Sequence, residues 1–190
     1  MKKITTYVCC FVLLCSTQLQ AQTQDEMMKA WAAYMTPGDM HKMLAKDDGE
    51  WTGDITMWME PGKEPTKSTG TMINKMIMGG RYQESTVSGQ MMGQPMEGKG
   101  ITAYNNSSKQ FETTWIDNMG TGIMKLTGTY DPATKSITYT GTQLDPMMNK
   151  EVSIKQVLKF IDDKHQVMEM YMPGPDGKNY KGMEIKFTKK

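Results

Sequence analysis

The sequence predicts an all-β fold: about ten short strands in an antiparallel up-and-down barrel, preceded by short helices. Three observations lead there. After Trp51, apolar and polar residues alternate with a period of two over segment after segment. Gly, Pro, Asn and Asp punctuate those segments. The connections are brief, as in "MGG", "NNSSK", "DPATK", "DDKH" and "GPDG". Brief connections make consecutive strands antiparallel neighbours, and closing the sheet on itself removes its two exposed edges.

In chain order, Lys2 and Lys3 precede a short apolar run, "VCCFVLLC", and "LQAQ" offers Ala21 as the small residue at a cleavage point. This is the pattern of a secretory signal peptide over residues 1–21, and it predicts a periplasmic or secreted protein. The run is shorter than the roughly 20 apolar residues that span a bilayer. Lipoprotein anchoring at Cys15 is the alternative; Leu14, where a small residue is expected, counts against it. All three cysteines, Cys9, Cys10 and Cys15, fall in this leader, so the cleaved chain is expected to hold neither disulfide nor thiol.

Residues 22–48 read as a helical segment capping the barrel. One short helix covers "DEMMKAWAAYM"; Thr36-Pro37-Gly38-Asp39 breaks it; Asp39 is the expected cap of a second helix, "MHKMLAK", which ends at Asp47-Asp48-Gly49. The barrel domain, 49–190, holds strands predicted near 51–59, 68–77, 81–88, 97–104, 110–117, 122–130, 136–142, 151–161, 166–172 and 179–188. No internal repeat or second domain is visible.

The alternation assigns faces. Trp51, Ile55, Met57 and Met59 share one side of the first strand. Met124, Leu126 and Tyr130 oppose Lys125, Thr127 and Thr129 in the sixth. Met168, Met170 and Met172 oppose Glu169 and Tyr171 in the ninth, and Met183, Ile185 and Phe187 oppose Glu184, Lys186 and Thr188 in the last. One apolar face at period two is what a barrel wall requires.

Gly49-Glu50-Trp51, a Gly-x-Trp placed between a short helix and the first strand, resembles the start of lipocalin-like (calycin) barrels, which implies that Trp51 packs across a closed end. The stretches "YMTPGDMHKMLAKDDGEWTGDITMWMEPG" (34–62), "MIMGGRY" (76–82), "TTWIDNMGTGIM" (113–124) and "MEIKFTKK" (183–190) together resemble the bacterial domain-of-unknown-function family 1579. That resemblance implies one exported domain and brings no catalytic residues with it.

Composition narrows the function. Removing Lys2 and Lys3 takes the formal charge from +1 to −1, leaving no basic excess for nucleic acid. After the leader, no apolar stretch is long enough for a membrane helix. Cysteine nucleophile, Gly-x-Ser-x-Gly, phosphate loop and metal-ligand cluster are all missing from the pattern, so no catalytic residue and no cofactor is predicted. The two histidines, His41 and His165, are expected to face solvent.

Methionine is the outlier, with 22 in 190 residues. Its flexible thioether suits a core or an adaptable cavity lining. Cu(I) binding is a sharper alternative, because thioethers are soft ligands. Alternate residues on one strand lie about 7 Å apart, however, so neighbouring strands or the pairs Met27-Met28, Met91-Met92 and Met147-Met148 would have to converge. Haem on an axial His or Met is a further alternative.

The favoured function is binding of a small apolar or amphipathic molecule inside the barrel. The predicted lining is Met57, Met59, Trp115, Met124, Leu126, Met168 and Met170, with Arg81 and Tyr104 as polar anchors. Arg81 is the only arginine; its planar fork would suit an acidic head group if it points inward, and otherwise it would stack on Trp51 or pair at the rim. Asp117, Asn118 and Thr121 are placed in a mouth loop, with Gly120 and Gly122 expected at positive φ. The rival reading is a structural or interaction protein with a filled barrel. An enzyme using the same cavity ranks lower.

Overall fold

The structure, a computed structural model, describes residues 23–146 and 149–190. The chain divides into two compact units between Thr36 and Pro37. In the first, helix α1 spans 23–35. Its Met27, Trp31 and Met35 recur every four residues, flanked by Met28 and Tyr34, and all five side chains are exposed. Trp31 stacks on Tyr34 with ring centres 5.5 Å apart.

The second unit begins with helix α2 (Asp39–Ala45) and continues as ten strands: β1 (Gly49–Met57), β2 (Thr66–Ile77), β3 (Tyr82–Met91), β4 (Gln94–Asn105), β5 (Gln110–Asp117), β6 (Met124–Asp131), β7 (Ser136–Asp145), β8 (Lys150–Phe160), β9 (His165–Pro173) and β10 (Asn179–Lys189). Each pairs antiparallel with the next and β1 pairs with β10, so the barrel closes. The predicted strands are all present, shifted by a few residues at their ends. The alternation assigned the inner face correctly in β1, β6, β9 and β10: Trp51, Leu126 and Met168 are buried, and the intervening charged residues point outward.

The helix cap differs from expectation. Gly38, not Asp39, is the N-cap of α2; its N–H donates to His41 Nδ1 at 3.0 Å, while Asp39 sits in the first turn and pairs with Lys42 at 3.0 Å. Gly38 has no side chain to accept the first-turn N–H groups; its carbonyl accepts those of His41 and Lys42 at 3.1 Å, and the imidazole at the third helical position reaches back to the cap's own N–H.

α2 packs against β2, β3 and β4 and closes one end of the barrel. Leu44 enters the core beside Phe111, Leu126, Ile137, Tyr139 and Ile154, with Met40 and Met43 behind it. Trp51 is wholly buried there (0 % exposed). Its indole Nε1 donates to the Asp47 carbonyl at 2.8 Å, and Lys189 crosses its face at 5.4 Å while donating to the Lys46 carbonyl. Gly49 is required beside it: its φ is 127°, and a Cβ there would lie 3.2 Å from Lys189 Cε. Trp51 thus fills the place implied by the Gly-x-Trp resemblance, and a lysine rather than Arg81 covers it.

Four short connections on this side, 78–81, 106–109, 132–135 and 161–164, complete the closed end. Two are near copies. Asn105 Oδ1 accepts the N–H groups of Ser107 and Ser108, Asp131 Oδ1 accepts that of Ala133, and Lys109 and Lys135 take φ of 57° and 48° to re-enter the sheet.

Candidate functional site: the barrel interior and its mouth

The closed end is polar where α2 meets the sheet. Asp47, 8 % exposed, accepts a hydrogen bond from Gln166 Nε2 at 2.7 Å. Gln83 Nε2 donates to the Leu44 carbonyl at 2.6 Å and to Asp48 Oδ1 at 3.2 Å, and Asp48 Oδ2 accepts the Met76 N–H at 2.8 Å. Burial pushes the Asp47 carboxyl up to about 7, against the opposing pull of the Gln166 hydrogen bond and Lys189. Burial likewise raises the Tyr139 hydroxyl, with the Asp47 charge adding to the effect. His41, expected in solvent, is 5 % exposed; desolvation lowers its pKa, a hydrogen bond to the Tyr104 backbone opposes that, and the Arg81 charge reinforces it. His165 is exposed and bonds Asp162 at 2.9 Å.

Away from this plug the interior is less full. A residue pointing into a closed barrel keeps accessible surface only where its neighbours leave space. Met72, Val87, Thr102, Thr113, Met170 and Ile185 all lie within strands, share register with inward residues and remain partly exposed. The two walls differ. Glycines 53, 70, 89, 98 and 100 face inward on β1 to β4. Trp115 of β5 uses two of them: a Cβ at Gly98 would lie 2.2 Å from its ring, and one at Gly100 3.4 Å. Trp115 Nε1 donates to Asp117 Oδ2 at 2.7 Å, which holds the indole flat against β4. Adjoining it, the wall carries thioethers: Met57, Met183 and Met170 occupy one cross-strand row over β1, β10 and β9.

The predicted residues therefore separate into groups. Met57, Trp115, Met124 and Met170 face inward and are partly accessible. Leu126, 2 % exposed, and Met168 are core residues. Three predictions need correction. Met59 lies beyond β1 in the 58–65 connection and is 59 % exposed, because Pro61 and Gly62 end the strand two residues early. Arg81 is exposed in the turn before β3, where Nη1 donates to the Met78 carbonyl at 3.1 Å, so it anchors no ligand inside the barrel. Tyr104 faces inward but at the closed end, packed between His41 and Phe111 at ring distances of 5.8 and 4.9 Å.

At the open end, Asp117 Oδ1 accepts the Met119 N–H at 2.9 Å. Asn118 instead stitches the 118–123 loop to β4: its side chain accepts the Glu97 N–H at 2.9 Å and donates to the Pro95 carbonyl at 3.1 Å. Thr121 is exposed, and neither Gly120 nor Gly122 takes positive φ. That freedom is used instead in the two-residue turn between β3 and β4, by Met92 and Gly93. Beside the mouth, a cleft of about 420 Å³ lies between Glu60 and Pro61 on one loop and Asp176 and Lys178 on the other, with Tyr180 at the start of β10. Of the three methionine pairs, Met27-Met28 lies in α1 and Met91-Met92 at the β3 end; Met147-Met148 lies outside the described residues. Among the described residues, no His, Cys, Asp and Glu cluster is arranged for a metal ion, and no helix is long and apolar enough to cross a membrane.

What sequence reasoning missed are Ser85, Thr102 and Gln156, inward and polar in the midst of the barrel. Strict alternation was the available signal, since each falls at an inward position.

A closed ten-strand antiparallel barrel plugged by one short helix defines the class of molecule. Within it, the chain belongs to the family described as a protein of unknown function, DUF1579, which matches residues 36–189. Among solved structures, it is similar to Rv2717c from M. tuberculosis, with a TM-score of 0.62 at 15 % identity over 82 % of this chain and 99 % of that one. It is also similar to the S-type phycobiliprotein lyase CPES from Guillardia theta, with a TM-score of 0.56 at 5 % identity over 80 % of this chain and 93 % of that one. At these identities the likeness is one of fold. No curated protein matches the chain.

Proposed function

We propose that the protein binds a small apolar or amphipathic molecule inside the barrel. The observation that carries this reading is the partly accessible set of inward residues within strands, lined by the glycines of β1 to β4 and the thioether row of β1, β10 and β9. Methionine adapts its shape to what it touches, and a glycine wall lets a ligand approach the backbone closely. The fold relation to a protein named a phycobiliprotein lyase is compatible with this reading. The leader pattern at 1–21 supports action outside the cytoplasm, in the periplasm or beyond it.

Native mass spectrometry of protein purified from its own host tests the proposal. A retained non-covalent mass is expected, and Val87→Trp, which places an indole in the accessible space, is expected to lose it while the protein still melts cooperatively. A wild-type protein that retains no added mass and takes up no apolar dye would leave the filled-barrel reading in its place.

A further inference from the structure

The interior carries information about the ligand's chemistry, and this step rests on the binding reading above. Charged side chains at inward register positions of the described strands occur only at the two ends. Asp117, Asp145 and Lys150 are at the open rim, and Lys189 is at the closed end, spent on the Lys46 carbonyl and the Trp51 ring. Between those ends the inward polar groups are neutral. Thr102 and Thr113, paired across β4 and β5, share one hydrogen bond at 3.1 Å, and Ser85 Oγ donates to Asn74 Oδ1 at 2.7 Å. Gln156 lies on β8, in register with Tyr139 and Met170. Thr102, Thr113, Ser85 and Gln156 all retain accessible surface.

A threonine pair that shares one hydrogen bond still has one hydroxyl hydrogen and several lone pairs to offer. It can meet a hydroxyl, carbonyl or amide. It cannot neutralise a carboxylate, and an ionised group taken out of water without a counter-charge is strongly disfavoured.

We infer that the barrel selects a ligand whose leading end is an uncharged hydrogen-bonding group on an apolar body, such as an alcohol, ketone, ester or amide, and rejects ionised heads. The threonine pair lies toward the closed half of the barrel, two or three residues from the ends of β4 and β5 nearest α2. The ligand therefore enters polar end first, with its apolar body against Met57, Met170 and Met183.

Competition of 1-decanol and decanoate against an environment-sensitive apolar dye at pH 8 tests this. The two differ only in head group, and decanoate is ionised at that pH. Decanol is expected to displace the dye at concentrations at least about tenfold lower than decanoate, and Thr102→Val with Thr113→Val is expected to weaken decanol by about tenfold relative to the dye. Equal or tighter binding of decanoate overturns the inference and leaves the binding reading standing. So does a decanol affinity indifferent to the two valines. Failure of dye, decanol and decanoate alike removes both.

Discussion

The two ends of this barrel are built to opposite rules. At the α2 end, the plug is locked: Trp51 is wholly buried, Asp47 is held by Gln166, and Gln83 ties the sheet to the last turn of α2. Connections there are four residues long, and two repeat the same side-chain-to-backbone turn. At the other end, Met59, Met92, Met119 and Ile123 lie exposed on the loops, and Met57, Met124 and Met183 on the inner face keep accessible surface. The contrast teaches that one sheet can divide its labour. Directional hydrogen bonds and an aromatic plug supply a unique structure at one end, which lets the other remain adaptable.

The largest expected effect tests that division directly. Trp51→Ala should destabilise the protein by about 3–5 kcal/mol, whereas Met124→Ala at the mouth should cost well under half as much, because its site is already partly open. Chemical denaturation of both variants measures this, and equal losses would dissolve the contrast.

Next is a pH dependence seated in Asp47. Its folded-state pKa of about 7 lies above the ordinary 3.8, so between those values the folded protein holds a proton that the unfolded chain has released. Stability from this group is therefore complete below about pH 4 and is lost as pH rises to about 7, by an amount on the order of a few kcal/mol. His41, whose pKa is lowered, works the other way and removes stability as pH falls below its ordinary 6.5. The clean measurement is the difference between wild type and Asp47→Asn. The variant should gain stability relative to wild type as pH climbs from 4 to 7, and a difference that does not change with pH would contradict the assignment.

Smaller is the lid on Trp51. Lys189→Met keeps the aliphatic stem but loses the bond to the Lys46 carbonyl and the cation over the ring, for an expected cost of about 1 kcal/mol in thermal denaturation. Smallest, and of opposite sign, is Met92→Asn. Met92 has φ of 51° in a two-residue hairpin that favours Asn-Gly, so the variant should gain about 0.5–1 kcal/mol with no change at the closed end. A loss at this position would mean that the exposed thioether makes contacts worth more than its backbone strain.

Much of the architecture was legible because period-two alternation is a local property: β1, β6, β9 and β10 each state their own inner face. The Gly-x-Trp stretch was legible for the same reason, as a turn glycine next to a bulky residue. The interior was legible only in part. Met57, Trp115, Met124 and Met170 face inward as expected because apolar residues at inward parity line an interior wherever the sheet closes. Arg81 was misplaced because parity says nothing about a residue one step outside its strand, and Met59 failed for the same reason at the end of β1. The burial of His41 was missed because it packs against Tyr104, which is more than sixty residues away.

By itself, the sequence determined the number of strands, their order and which side of β1, β6, β9 and β10 turns inward, since alternation and turn chemistry act between near neighbours. Only the tertiary structure decided which end is shut, that Lys189 rather than Arg81 covers Trp51, and that neutral hydroxyls and thioethers share one interior. Those outcomes depend on the register with which β1 meets β10 and on where α2 docks. Both are set by contacts between residues remote in the chain, and no local pattern encodes them.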